Sequence, residues 1–102
     1  MSALDVLPLT DRCGLRLVGD LDVSTRPVLT AAMAAFRSCD RDVHFELADL
    51  AFIDVGGASA LVTVACQGGP GRRVIMHRPP RQLPRIVDLL WGEVPAIEME
   101  AR

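Results

Sequence analysis

Apolar residues along this chain fall into two rhythms, one repeating every second position and one every third to fourth, and the switches between them mark out the elements. Leu4 to Leu9 reads as an edge strand, because Pro8 lacks the amide hydrogen that a central strand donates. Thr10-Asp11-Arg12-Cys13-Gly14 carries turn chemistry. Leu15 to Leu21 follows as a second strand, with Leu15, Leu17 and Gly19 on one face, and the two strands are expected to form an antiparallel hairpin. A first helix is expected from near Ser24, whose hydroxyl can accept from an amide of the first turn, and Pro27 falls early enough to remove no internal hydrogen bond. Val28, Leu29, Ala32, Met33 and Phe36 form its apolar stripe, Ala31, Ala34 and Arg37 face away, and Ser38-Cys39-Asp40-Arg41 ends it.

Val43 to Leu47 alternates as a strand, with Val43, Phe45 and Leu47 on one face and His44 and Glu46 on the other. Leu50-Ala51-Phe52-Ile53-Asp54 leads into Gly56-Gly57, after which Ala58, Leu61, Val62 and Ala65 give a second helical stripe that Gly68-Gly69-Pro70-Gly71 stops. Val74-Ile75-Met76 reads as a short buried strand broken by Pro79-Pro80. Leu83, Ile86, Val87 and Leu90 predict a third amphipathic helix, with Pro84 in its first turn and Gly92 at its end, and Ala96 to Met99 a last strand. The order β-β-α-β-α-β-α-β predicts an α/β fold: a mixed four- to five-stranded sheet with three helices packed on it, its strand–helix–strand units closed by right-handed crossovers. Residues 1–102 are read as a single domain.

Composition narrows the function classes. Half the residues are apolar and the net charge is −2, which excludes intrinsic disorder. With one Trp and no basic excess, neither a charged groove nor a stacking platform for nucleic acid is expected. No apolar run approaches the ~20 residues of a spanning helix, and no secretory signal opens the chain. The expectation is a cytoplasmic protein without membrane or nucleic-acid partners. Cys13, Cys39 and Cys66 are an odd, widely spaced set, so free thiols are expected, Cys39 the most exposed and a candidate for redox chemistry. His44 and His77 lie in strands with no i+4 partner, which argues against a zinc pair. Gly68 to Gly71 lacks the Lys of a phosphate-binding loop and precedes a strand, so it is a turn. Arg72, Arg73, Arg78, Arg81 and Arg85 give the C-terminal third a basic bias, either a solvated face or a contact for an acidic partner or nucleotide. No catalytic set, metal spacing or cofactor loop can be assembled, so no enzyme, metal or cofactor is expected.

Two segments carry a resemblance. Gly19-Asp20-Leu21-Asp22-Val23-Ser24-Thr25-Arg26-Pro27-Val28-Leu29 resembles the G-E-L-D-x-x-x-x-P-x-L signature of STAS domains, and Leu47-Ala48-Asp49-Leu50-Ala51-Phe52-Ile53-Asp54-Val55-Gly56-Gly57 resembles their D-L-S-x-V-x-F-I-D-S-S-G-L loop. Arg78-Pro79-Pro80 and the helix after it are similar to the last helix of many actinobacterial members, so the resemblance spans almost the whole chain. It implies a binding module of the anti-sigma factor antagonist type, which docks on an anti-sigma factor with a serine-kinase ATPase domain and so releases a sigma factor. In switching members the kinase phosphorylates the second Ser of the D-S-S-G loop and breaks the complex. Here Val55 and Gly56 stand where the two serines stand, so the family's phosphoacceptor position has no hydroxyl and the phosphate's charge of about −1.5 to −2 cannot be added there.

The implied partner-binding residues are Asp20, Asp22, Asp54, Val55, Gly56, Gly57, Ala58 and Ser59. In the loop, a strand-to-helix turn leaves amides pointing outward, Gly56 and Gly57 allow close backbone approach, and Asp54 either caps the second helix or faces the partner. Ser59 is the fallback phosphoacceptor, ahead of Ser24 and Thr25, though a small residue there also suits helix packing. Asp20 and Asp22 are read either as an acidic rim that speeds encounter with a basic kinase surface or as a solvated turn in which Asp22 caps the first helix. Two other expectations remain beside docking: a ligand-sensing STAS domain holding a nucleotide or small anion at the second helix's N-terminus, and a structural subunit associating with other STAS proteins or with itself.

Overall fold

The computed structural model describes residues 3–36, 39, 41–68 and 71–100, without the side chain of Phe36. The expected burial of Phe36, the outward Arg37, the part of the first helix's end that rests on Ser38 and Asp40, and Gly69-Pro70 of the Gly-rich turn lie outside the described residues.

The chain opens with the expected hairpin. β1 (Leu4–Pro8) pairs antiparallel with β2 (Gly14–Leu21), Leu4 opposite Gly19 and Pro8 opposite Leu15. α1 (Arg26–Met33) follows, tightening into a short 3₁₀ turn at Ala34–Phe36, and leads to β3 (Val43–Glu46). β4 (Leu50–Ile53), α2 (Val55–Cys66), β5 (Val74–His77), α3 (Gln82–Trp91) and β6 (Ile97–Glu100) complete the order. The strands run β1-β2-β3-β5-β6, all neighbours after the hairpin being parallel, and β4 lies parallel to β2 as well.

β2 therefore serves two partners in succession. Its first part, Gly14 to Arg16, pairs with β3, and its last part, Gly19 to Leu21, pairs with β4. That makes six strands, β4 being the one beyond the expected four or five. Its burial runs buried, exposed, exposed, buried, and the ladder is irregular at Gly19/Asp20, so no two-residue alternation announces it.

The three helices form one layer, with α2 touching both α1 and α3. Against them the sheet presents Leu15, Leu17, Leu21, Val43, Phe45, Val74 and Met76, all in the core with Leu29, Leu61 and Leu83 from the helices. Full burial of each Leu contributes about 1.5–3 kcal/mol, so this layer contact is the main stabilising feature of the fold. Two expected core positions lie outside it. Val28 is 43% and Leu90 52% exposed, because the buried faces of α1 and α3 are narrower than their apolar stripes: Leu29 and Met33 in α1, Leu83 and Val87 in α3.

The cysteines differ from expectation. Cys13 and Cys39 form a disulfide across a sequence separation of 26, tying the entry to β2 to the segment after α1. Cys66, at the end of α2, is free and exposed. An odd count forbids only a fully paired set, and two cysteines brought together by the fold are free to join.

Candidate functional site

The ends of β2 and β4 deliver both resemblance segments to one end of the sheet, Leu21 lying beside Ile53. After Ile53 the chain turns directly into α2. Asp54 is extended at φ −111 and ψ −175, and its Oδ1 accepts from the Gly57 amide at 2.8 Å. A carboxylate at this position satisfies one of the helix's unpaired amides and complements the helix dipole. Gly57 is buried against β2: a Cβ there would lie 2.2 Å from the Leu21 carbonyl oxygen. Ala58 is wholly buried as well, so these two members of the expected partner-binding set pack inside the fold.

What remains at the surface is Val55, 52% exposed, and Gly56, whose missing Cβ leaves room for Val23. Val23 itself is 64% exposed, and Phe52, beside Asp20 on the neighbouring strand, is 49% exposed. Val23 and Val55 are thus exposed apolar side chains at the turn into α2, and Phe52 is one on β4 beside Asp20. Val23 and Phe52 were not singled out in the sequence, where alternation alone does not say which apolar side chain lies outside. Ser59 is half-buried on α2, and its carbonyl accepts from the Thr63 hydroxyl at 2.8 Å.

The two acidic residues separate in role. The Asp22 carboxylate accepts from the Ser24 amide at 2.9 Å, the Ser24 hydroxyl at 2.6 Å and the Thr25 amide at 3.1 Å, while the Thr25 hydroxyl donates to the Asp20 carbonyl at 2.8 Å. Asp22 thus clamps the turn before α1; Ser24, expected to cap that helix as an acceptor, donates to Asp22 instead, and α1 begins at Arg26, after Thr25, with no side-chain cap. Asp20 is half-buried, and its side chain lies on the side of β2 away from the helices.

A second polar cluster covers the helix-free face of the sheet. His44 Nδ1 and His77 Nε2 are 2.8 Å apart, and His77 Nδ1 lies 3.0 Å from Glu100 Oε2. Arg16 pairs with Asp49 and Arg78 with Glu46 across the same face, while Arg73 reaches Glu98 at 3.5 Å. Burial pushes the His44 pKa down, helped by the positive charge of Arg12 and by His77; Asp42 and Glu100 oppose the shift. The spacing of 33 residues hides this histidine pair in the sequence, since only the β3–β5 register makes them diagonal neighbours. Among the described residues no group of three His, Cys, Asp or Glu side chains is arranged to hold a metal, and no helix is long and apolar enough to cross a membrane.

Comparison with known proteins places this geometry. The structure is similar to that of the anti-sigma factor antagonist SpoIIAA in its unphosphorylated form, with a TM-score of 0.69 at 16% identity over 95% of this chain and 87% of that one. At that identity the likeness concerns the fold. No curated protein matches the chain in sequence. The family model described as "Mlab, STAS domain" matches residues 8–90, which takes in both signature segments, α2 and nearly all of α3. The chain belongs to the STAS domain family.

Proposed function

We propose that this protein is a docking module of the anti-sigma factor antagonist kind, which binds an anti-sigma factor carrying a serine-kinase ATPase domain and is not switched off by phosphorylation at the family's usual position. The observation that carries the reading is the start of α2, where Asp54 holds the turn and Val55, Gly56 and Val23 present an exposed surface with no hydroxyl at position 56. A standard interface buries about 800 Å² per partner, and this surface together with Phe52 and the Asp20 rim is the natural centre of one. Asp20 supplies the negative charge that would speed encounter with a basic partner. The module acts by binding and not by catalysis.

The ligand-sensing alternative is weaker on the same geometry. Asp54 occupies the Gly57 amide and sets a negative charge at the helix N-terminus, where an anion would have to sit. Work on a cytoplasmic kinase would place the protein in the cytoplasm, where the Cys13–Cys39 bond would face thiol reductants.

The test mixes the protein with the anti-sigma kinase encoded nearest to it, with and without ATP, and follows complex formation and intact mass. A complex that survives ATP, with no gain of one phosphate, is the expected result. Val55→Asp should weaken that complex at least tenfold while leaving the fold intact, because an acidic residue in the first turn suits a helix. Failure of the native protein to bind removes the docking reading, and a phosphopeptide containing Ser59 removes the unswitched one.

A further inference from the structure

We propose that a groove between α1 and α2, separate from the docking surface, binds a small organic anion: one carboxylate or phosphate group on a short apolar body. The groove encloses about 450 Å³, within the range of small-molecule sites. Met33 and Val64 supply apolar lining, Thr30 and Gln67 supply polar groups, and Arg26 and Arg72 bring two guanidinium groups to it. Neither arginine forms an ion pair among the described residues, whereas Arg16, Arg73 and Arg78 on the sheet face all do.

Arg72 gives the groove its chemistry. Its Nε is buried and has no hydrogen-bond partner. A guanidinium is always charged and only donates; Nε itself is closed off, so it is the remainder of the Arg72 guanidinium, which lines the groove, that can meet an acceptor there. The nearby carboxyl-terminal end of α2 would attract a cation by its dipole alone, yet Nε donates to none of its carbonyls. A Cβ at Gly68 would lie 2.7 Å from Arg72 Cδ, so the arginine stem passes close over that glycine. Planar guanidinium forks match carboxylate and phosphate oxygens, and the apolar lining suits a hydrocarbon body.

The experiment titrates the intact protein with hexanoate, hexyl phosphate, hexanol and inorganic phosphate, following backbone amide shifts by NMR. Saturable shifts at Thr30, Thr63 and Gln67 with hexanoate or hexyl phosphate, at least tenfold tighter than with hexanol, are expected. The stronger of the two anions identifies the headgroup. Arg72→Met should weaken binding at least tenfold, and Ala60→Leu, which fills the lining from α2, should do the same without touching a charge. Equal binding of hexanol, unchanged affinity in both variants, shifts confined to other surfaces, or saturation by no anion would each overturn the proposal. Melting curves of both variants show whether they fold, and if Arg72→Met does not, Ala60→Leu decides.

Discussion

Gly56 and Val23 share one space: a Cβ on Gly56 would lie 2.5 Å from Val23 Cγ2 and 3.3 Å from Asp54 Oδ1. The obstacle is the end of a side chain that is 64% exposed and free to turn aside. Gly56→Ser is therefore expected to fold, with a melting temperature no more than about 4–8 °C lower, the equivalent of about 1 kcal/mol for a domain of this size. Under the docking proposal the new hydroxyl restores the family's acceptor, so kinase and ATP should add one phosphate to the variant and none to the native protein. A variant that folds, binds the kinase and is left unmodified would count against the alignment of Gly56 with that acceptor.

Gly57 behaves oppositely although it is the next residue. Its Cβ would meet backbone, 2.2 Å from the Leu21 carbonyl oxygen and 2.8 Å from its carbon, and β2 cannot move without breaking its ladder to β4. Gly57→Ala should cost about 1–3 kcal/mol or more, read as a lower midpoint in urea with binding lost in proportion to unfolding. A neutral Gly57→Ala would mean that α2 can slide on the sheet.

The histidine pair gives stability a pH dependence. His44 Nδ1 and His77 Nε2 are linked by one hydrogen bond, and His77 Nδ1 faces Glu100 Oε2. The His44 pKa is lowered on folding by burial, by Arg12 and by His77, with Asp42 and Glu100 opposing. A depressed histidine pKa means the unfolded chain takes up the proton first. Stability is thus full above the unfolded value near pH ~6.5 and falls with decreasing pH until the folded value is reached. Urea midpoints measured from pH 7.5 to 5 should fall on this account, and His44→Asn should remove part of the slope; a slope unchanged in the variant assigns it elsewhere.

The Cys13–Cys39 bond closes a loop over a separation of 26 residues. Loop-closure entropy for that length corresponds to roughly 3–4 kcal/mol of stabilisation. Reduction, or Cys13→Ser, should lower the urea midpoint accordingly, and non-reduced peptide mapping should recover the two cysteines joined. Recovery of Cys66 in a disulfide instead would contradict the pairing.

Element type was legible because it rests on local rhythm: the hairpin, all three helices and the Val74 strand follow from spacing and turn chemistry. β4 was hidden by its buried-exposed-exposed-buried pattern, and Leu90 and Val28 were misplaced because a wheel shows a stripe but not how much of it the neighbouring layer covers. The site was readable in part. Asp54 and Asp22 each kept two roles, cap or partner contact, until the turns were built. The histidine pair, the disulfide and the Arg72 groove depend on residues 33, 26 and dozens of positions apart, distances that only register and crossover bring to nothing.

The division of β2 between two parallel partners leaves a seam across the sheet. Along one edge of β2 stand β3, with β5 and β6 beyond it, and then only a four-residue β4, while β1 runs along the other edge from Leu15 to Gly19. Loosening β4 breaks no rung between β3 and β5, so the ladder that leads to Asp54 is separate from the one that joins β2, β3, β5 and β6. A visitor gripping α2's first turn would then pull on a strand that only the last rungs of β2 tie to the rest of the sheet.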